Sequence, residues 1–171
     1  MTEIILETKR LRLLPLVESD AEFIVELLNS DGFLKNIGDR KVRSLEDAKN
    51  YITKGPRLSY SSNGYGLYRV DIKETQEKIG ICGLVKRDVF DHADIGFAFL
   101  PRYFRKGYAL ESAKGVLDYA KNTLKMPKVL GITKYHNQAS IGVLEKLGLS
   151  YEGPFRLTPE EEEGKLFSIS F

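Results

Sequence analysis

The chain has 171 residues, 42% of them hydrophobic and 29% charged, with a formal net charge of +2, the balance of a soluble globular protein forming one domain over residues 1–171. So small a net charge gives no global field for nucleic acid, no apolar run approaches the ~20 residues of a membrane helix, and Cys82, the only cysteine, excludes an internal disulfide. Residues 1–6 lack a basic segment followed by a long apolar one, so no signal peptide is expected and a cytoplasmic setting is the default.

Residues 10–14 alternate Arg10-Leu11-Arg12-Leu13 before Pro15, which predicts a first strand. Ser19-Asp20-Ala21-Glu22 reads as a capping box. Behind it Phe23, Ile24, Leu27 and Leu28 share one helical face, and residues 29–32 end that helix. A loop follows to Arg43. Ser44 then caps a second helix through Ile52, with Gly55-Pro56 as its stop, and residues 59–64 read as a polar loop. Residues 66–72 and 78–85 form a strand hairpin about the charged turn 73–77. Cys82 lies inside the second strand and reads as an inert core thiol.

From Asp94 the pattern sharpens. Ile95, Phe97 and Phe99 recur at period two with Gly96 and Ala98 between them, a central strand ended by Pro101. Arg102, Arg105 and Lys106 then surround the single Gly107, and from Ala109 the period turns helical through Leu110, Ala113, Leu117, Ala120 and Leu124. After Met126-Pro127, residues 128–133 read as a buried strand, parallel to the central one because a helical crossover joins the two. Asn137 or Ser140 precedes a short helix bearing Ile141, Leu144 and Leu147, with Gly148 as its C′ residue. Strands beginning at Ser150 and Lys165 flank the acidic run 160–163. The order β-α-α-β-β-β-α-β-α-β-β fits a three-layer α/β domain around a mixed sheet.

The basic loop at a helix start has two readings. The first N–H groups of a helix lack partners and carry partial positive charge, so a phosphate fits there, and a glycine lets the backbone approach it. The alternative is a tight strand-to-helix turn with solvated basic residues. Metal chemistry is not expected: His92 and His136 are the only histidines, and neither has a ligand partner at helical spacing. No Gly-x-Ser-x-Gly elbow and no Walker A loop is present.

The run Arg105-Lys106-Gly107-Tyr108-Ala109-Leu110-Glu111-Ser112-Ala113, taken with Asn137-x-x-Ser140 and Glu145-Lys146-Leu147-Gly148, resembles the GCN5-related N-acetyltransferases, the GNAT superfamily, and most closely its RimJ/RimL-like branch. The resemblance runs from Leu6 to about Phe167. Four positions depart from it. Trp-Gly-Lys-Gly is here Phe104-Arg105-Lys106-Gly107, Leu149 replaces a phenylalanine, and Leu144 stands where many members carry a tyrosine acid.

The resemblance implies a GNAT-like fold, a mixed and mostly antiparallel sheet splayed between two parallel strands. It implies acetyl-CoA as acetyl donor, no metal, and direct attack by a primary amine in a ternary complex. The amine would be a protein N-terminal α-amine, as in ribosomal-protein acetyltransferases, or a small molecule. Expected cofactor contacts are Phe99, Leu100, Arg102, Arg105, Lys106, Gly107, Tyr108, Ala109, Leu110, Asn137 and Ser140. Ser140 is the expected partner of the leaving sulfur, although serine is also a plain helix cap. Asp94 is either the general base or a solvated turn carboxylate, Glu160 is a weaker base candidate, and ordered water is a further route. The paired helices after the first strand would rim the acceptor site, with Phe33, Tyr60 and Tyr65 on loops beside it. The rival classes are a non-catalytic CoA-binding sensor or structural protein and a nucleic-acid or ribosome-binding module using Arg102, Arg105 and Lys106; monomer and homodimer both stay open.

Overall fold

In the computed structural model, which describes residues 3–171, eight strands form one sheet in the order β1-β2-β3-β4-β5-β6-β8-β7. The chain runs β1 (Leu6–Glu7), β2 (Leu11–Pro15), α1 (Ala21–Leu28), α2 (Asp31–Asn36), α3 (Leu45–Ile52), α4 (Leu58–Asn63), β3 (Leu67–Ile72), β4 (Lys78–Val85), β5 (Asp94–Phe99), α5 (Tyr108–Asn122), β6 (Lys128–Lys134), α6 (Gln138–Lys146), β7 (Ser150–Phe155) and β8 (Gly164–Ser170). Every strand pair is antiparallel except β5 with β6. The expected mixed, mostly antiparallel sheet with one parallel pair is therefore present.

Strand β4 sits mid-sheet and is buried on both faces, which explains its nearly unbroken apolar run. Cys82 and Leu84 face the α5 side and share a core with Ala113, Val116, Leu117 and Ala120. Ile81 faces the other way into a core with Ile24, Leu27 and Ile52 of α1 and α3. Successive strand side chains point to opposite faces, so the two cores are separated by one sheet and the molecule has three layers.

Several local expectations change in three dimensions. The capping box at Ser19 does not form. Glu18–Asp20 is a turn of 3₁₀ helix, and the Asp20 carboxylate accepts from the Val17 N–H at 3.0 Å instead. Asp20 is drawn away from local capping because it also meets Arg69 and Lys78, each at 2.8 Å. The loop expected after residue 32 contains α2, whose Phe33 is buried in the α1–α3 core. Ser44 does cap α3, accepting from the Asp47 N–H at 3.0 Å.

Gly55-Pro56 is not a stop. The chain widens into a π-helical turn, Thr53–Arg57, and continues as α4, where a polar loop is expected from sequence. A wider turn accommodates the proline that an α-helical ladder would reject. Tyr60 anchors α4: its hydroxyl accepts from the Leu16 N–H at 3.1 Å and donates to the Leu67 carbonyl, and its ring stacks on Tyr68 with centroids 5.2 Å apart. Burial pushes that hydroxyl up to about 12. At the other end of the chain, α6 closes as expected in a Schellman motif. Gly148, at φ 93°, donates to Glu145, and Leu149 donates to the Leu144 carbonyl.

Candidate active site

The parallel pair is short. Asp94 lies opposite Leu130 and Ile95 opposite Gly131, and beyond that point β5 and β6 diverge. The direction of the unpaired groups follows from the register. The Leu100 N–H donates to Ile79 of β4, and the Leu130 N–H of β6 donates to the Ala93 carbonyl. Even-numbered residues of β5 therefore turn their backbone groups to β4, and odd-numbered ones turn theirs to β6. Where β6 departs, the N–H and C=O groups of Phe97 and Phe99 point into the gap. Buried backbone groups demand partners, so such an edge is a ready binding surface for an amide-bearing chain. Phe99 and Leu100 themselves are buried, and because the Leu100 N–H and carbonyl are already bonded to Ile79 and Tyr103, only the Phe99 backbone is available there and the expected Leu100 contact is not.

A cavity of about 650 Å³ fills the divergence. Its floor is Asp94, Gly96, Phe97 and Ala98 of β5 with Ile132, Thr133 and Lys134 of β6. One helical face of α6, Asn137, Ser140 and Leu144, forms a wall. Phe33 and Tyr51 from the α1–α3 layer close the opposite side, and Glu161 and Glu162 of the β7–β8 connection stand at the rim. Glu160 is exposed and off this wall, so the acidic loop meets the cavity through its neighbours instead. Tyr65 and Tyr60 do not border the cavity.

Asn137 caps α6, its side-chain oxygen accepting from the Ser140 N–H at 3.2 Å. Ser140 lines the cavity wall, and the capping bond uses its N–H and not its hydroxyl. Leu144, one turn on, is 1% exposed and packs over Gly131. No hydroxyl stands at the tyrosine position.

Asp94 is not a solvated turn residue. It is 2% exposed and takes a 2.9 Å hydrogen bond from Arg87 Nε. Burial raises its carboxyl above the ordinary value even though the Arg87 guanidinium opposes the shift. Arg87 has no counterpart in the sequence reading. It lies on the β4–β5 connection, and no local spacing marks its reach to Asp94. Cys82 is fully buried, with its thiol pushed up to about 12 by burial, as an inert core residue should be.

The basic loop leads from β5 into α5. Arg102, Arg105, Lys106 and Gly107 are exposed, while Tyr108, Ala109 and Leu110 of the first helical turn are half-buried. Gly107 is the N-cap, at φ 81°, and Arg105, two residues before, takes φ 62°. Both are left-handed, so the arginine that replaces the resembling family's glycine keeps a glycine-like backbone there. The first donor of this run with an acceptor in the chain is the Glu111 N–H, on the Gly107 carbonyl at 3.0 Å, which leaves the preceding amides open to an anion. Arg102 is turned aside, bonding Glu26 of α1 at 3.1 Å and lying over the Tyr103 ring. Phe104 covers Gly32 of α2. Among the described residues, no group of three or more His, Cys, Asp or Glu side chains is placed to hold a metal ion, and no helix is long and apolar enough to cross a membrane.

A sheet whose single parallel pair splays beside an anion-receptive helix start is the architecture of the acyl-CoA-dependent N-acetyltransferases. The sequence matches the family described as acetyltransferase (GNAT) domain over residues 10–150, and the chain belongs to that family. It is similar to an uncharacterized N-acetyltransferase, YoaA, of Bacillus subtilis, at 30% identity over 154 residues, 89% of this chain and 86% of that one. Its fold is similar to a GNAT-family acetyltransferase of Bacillus anthracis, with TM-score 0.79 and 26% identity over 99% and 98% of the two chains. It is also similar to RimL, a ribosomal alpha-N-protein acetyltransferase in complex with coenzyme A, with TM-score 0.82 and 17% identity over 98% of each chain. The protein is an N-acetyltransferase of the GNAT family.

Proposed function

We propose that residues 1–171 act as one N-acetyltransferase domain that carries the acetyl group of acetyl-CoA directly to a primary amine, either a protein N-terminal α-amine or a small amine, in a ternary complex. The observation that carries this reading is that one cavity touches the free edge of β5, the buried Asp94 and the Ser140 hydroxyl. In this reading the pyrophosphate of the donor meets the loop of Arg105, Lys106, Gly107, Tyr108, Ala109 and Leu110, with Arg102 beside it, and the amide-bearing arm pairs with the free backbone of Phe99. Asn137 and Ser140 flank the thioester. Such a donor fits a cytoplasmic setting.

The chemistry assigns each group a task. Asp94 takes the proton of the attacking amine, directly or through water, and burial suits it by bringing its basicity closer to that task. The N–H groups of Phe97 and Phe99 face the developing oxyanion. The Ser140 hydroxyl hydrogen-bonds the departing sulfur in place of the tyrosine that Leu144 replaces. Cys82 takes no part, so no acetyl group is expected on it. The test is acetyl-CoA turnover with N-terminal peptides beside small amines and polyamines. Saturable acetylation of one class, with intersecting double-reciprocal plots, is expected; CoA binding with no turnover of any acceptor overturns the reading.

A further inference from the structure

Arg10 lies on the turn between β1 and β2, far in sequence from the phosphate loop and directly beneath it. Its Nη1 donates to the Lys106 carbonyl at 2.9 Å and its Nε to Glu111 Oε1 at 3.0 Å. The guanidinium stacks 4.5 Å over the Tyr108 ring, and its second amino group lies 3.3 Å from where a Cβ on Gly107 would stand. Glu111 is held in turn by the Thr8 hydroxyl at 2.9 Å and by the Arg10 N–H at 3.3 Å. One arginine thus grips the loop carbonyl, the first aromatic ring and the first acid of α5.

A trans peptide plane points its C=O and its N–H in opposite directions. Drawing the Lys106 carbonyl down to Arg10 therefore turns the Gly107 N–H outward, on the side away from β1 and β2. It also removes from an anion's reach the one group of that plane that would repel it. Gly107, left-handed, flanks the plane and permits that orientation, and Arg105, also left-handed, turns the chain one residue before it. We propose that Arg10 is a positioning residue for the donor's diphosphate: it sets the 106–107 peptide so that the loop presents amide donors, and it does so without touching the ligand. This rests on the reading of the loop as the phosphate site.

The test compares Arg10→Ala, Arg10→Lys, Glu111→Gln and Lys106→Glu, each confirmed folded by far-UV circular dichroism, in CoA titration and acetyl-CoA kinetics. Arg10→Ala is expected to weaken CoA binding about tenfold and raise the KM for acetyl-CoA to match, with kcat within twofold. Arg10→Lys, which cannot span both acceptors as the guanidinium fork does, should recover part of the affinity. Glu111→Gln lowers the melting temperature yet keeps the bond to Lys106, so its CoA affinity should stay near wild type. If Arg10→Ala melts early but binds CoA normally at a temperature where it is folded, Arg10 is only a structural clasp and the proposal fails. If Arg10→Ala does not fold, Arg10→Lys with unchanged affinity overturns it equally. Lys106→Glu separates the two readings: unchanged CoA affinity in that variant sinks the loop itself, whereas weakened affinity there with none lost at Arg10 sinks only this inference.

Discussion

Ser140 and Leu144 lie one turn apart on the α6 face that borders the cavity. A serine hydroxyl is too weak an acid to match a departing thiol, so its expected service is a hydrogen bond, worth about 0.5–1.5 kcal/mol. Ser140→Ala is then expected to lower kcat by no more than about tenfold, with CoA affinity little changed; a loss beyond about a hundredfold would point to proton donation. Asp94 gives a pH signature. Its folded carboxyl titrates above the ordinary value, so below that raised point it holds a proton and cannot accept one from the amine. The acidic limb of kcat/KM should accordingly lie above the ordinary carboxylate range, and Asp94→Asn should abolish both the limb and most of the rate. The stability sign follows from proton counting. Between the unfolded and the raised folded value the native state holds more protons than the unfolded one, so stability falls as pH rises through that window. Urea melts of Asp94→Asn should lack that fall. Both residues stand out in the sequence by type and motif. Arg87 does not, since a partner seven residues away across an irregular connection follows no periodicity.

At the scale of elements, the loop into α5 carries the sharpest departure from family sequence, and the backbone absorbs it. Arg105 at φ 62° sits where a side chain costs about 1 kcal/mol over glycine. Arg105→Gly should therefore leave thermal stability within about 1 kcal/mol of wild type, relief of strain offsetting the looser unfolded chain. A β-branched Arg105→Val should lower it clearly. The same Arg105→Gly change removes one cation from the loop, so CoA affinity should both weaken and become less salt-dependent, measured by titration at two ionic strengths. The stretch through α3 and α4 shows the converse. Gly55-Pro56 is a proper stop signal for an α-helix read locally, yet the chain passes it through a π turn because Tyr60 is held by Leu16, Leu67 and Tyr68. Tertiary partners outweigh a local preference of this size.

Across the whole molecule, the entry to α1 is tied to the sheet by charge as well as by apolar packing. Asp20, wholly buried, meets Arg69 of β3 and Lys78 of β4, and Arg69 also grips Asp71 at 2.7 Å. Burial alone would raise the Asp20 carboxyl, but Lys78, the Val17 N–H and Arg69 together hold it below its ordinary value. Its contribution is therefore present above the unfolded value and lost as pH falls through the folded one, the opposite sense to Asp94. Asp20→Ala strands the Arg69 charge and the α1 entry, and should cost about 3 kcal/mol in chemical denaturation at neutral pH. Ligand binding acts on the same global equilibrium. CoA at a hundredfold over its dissociation constant should add about 2.7 kcal/mol and raise the melting temperature. Gly107→Asp costs stability by itself because of its left-handed φ, so the readout is the CoA-induced shift, which should vanish.

The amino-acid order by itself determined the strands from β3 to β6, the crossover helix and the parallel pair, since period two, period 3.6 and chain handedness are local or topological constraints. It also marked Gly107, Asn137 and Ser140, whose roles depend on adjacent backbone. Only the tertiary structure decided that Asp94 is buried against Arg87, that Asp20 ties α1 to the sheet, that residues 58–63 are helical, and that Arg10 reaches the loop into α5 from the first turn of the chain. Those facts join residues from separate elements. Such pairings arise when strand order brings β1 and β2 beside α5 and lets β6 swing away from β5, and a single sequence carries no spacing signal for contacts between segments a hundred residues apart.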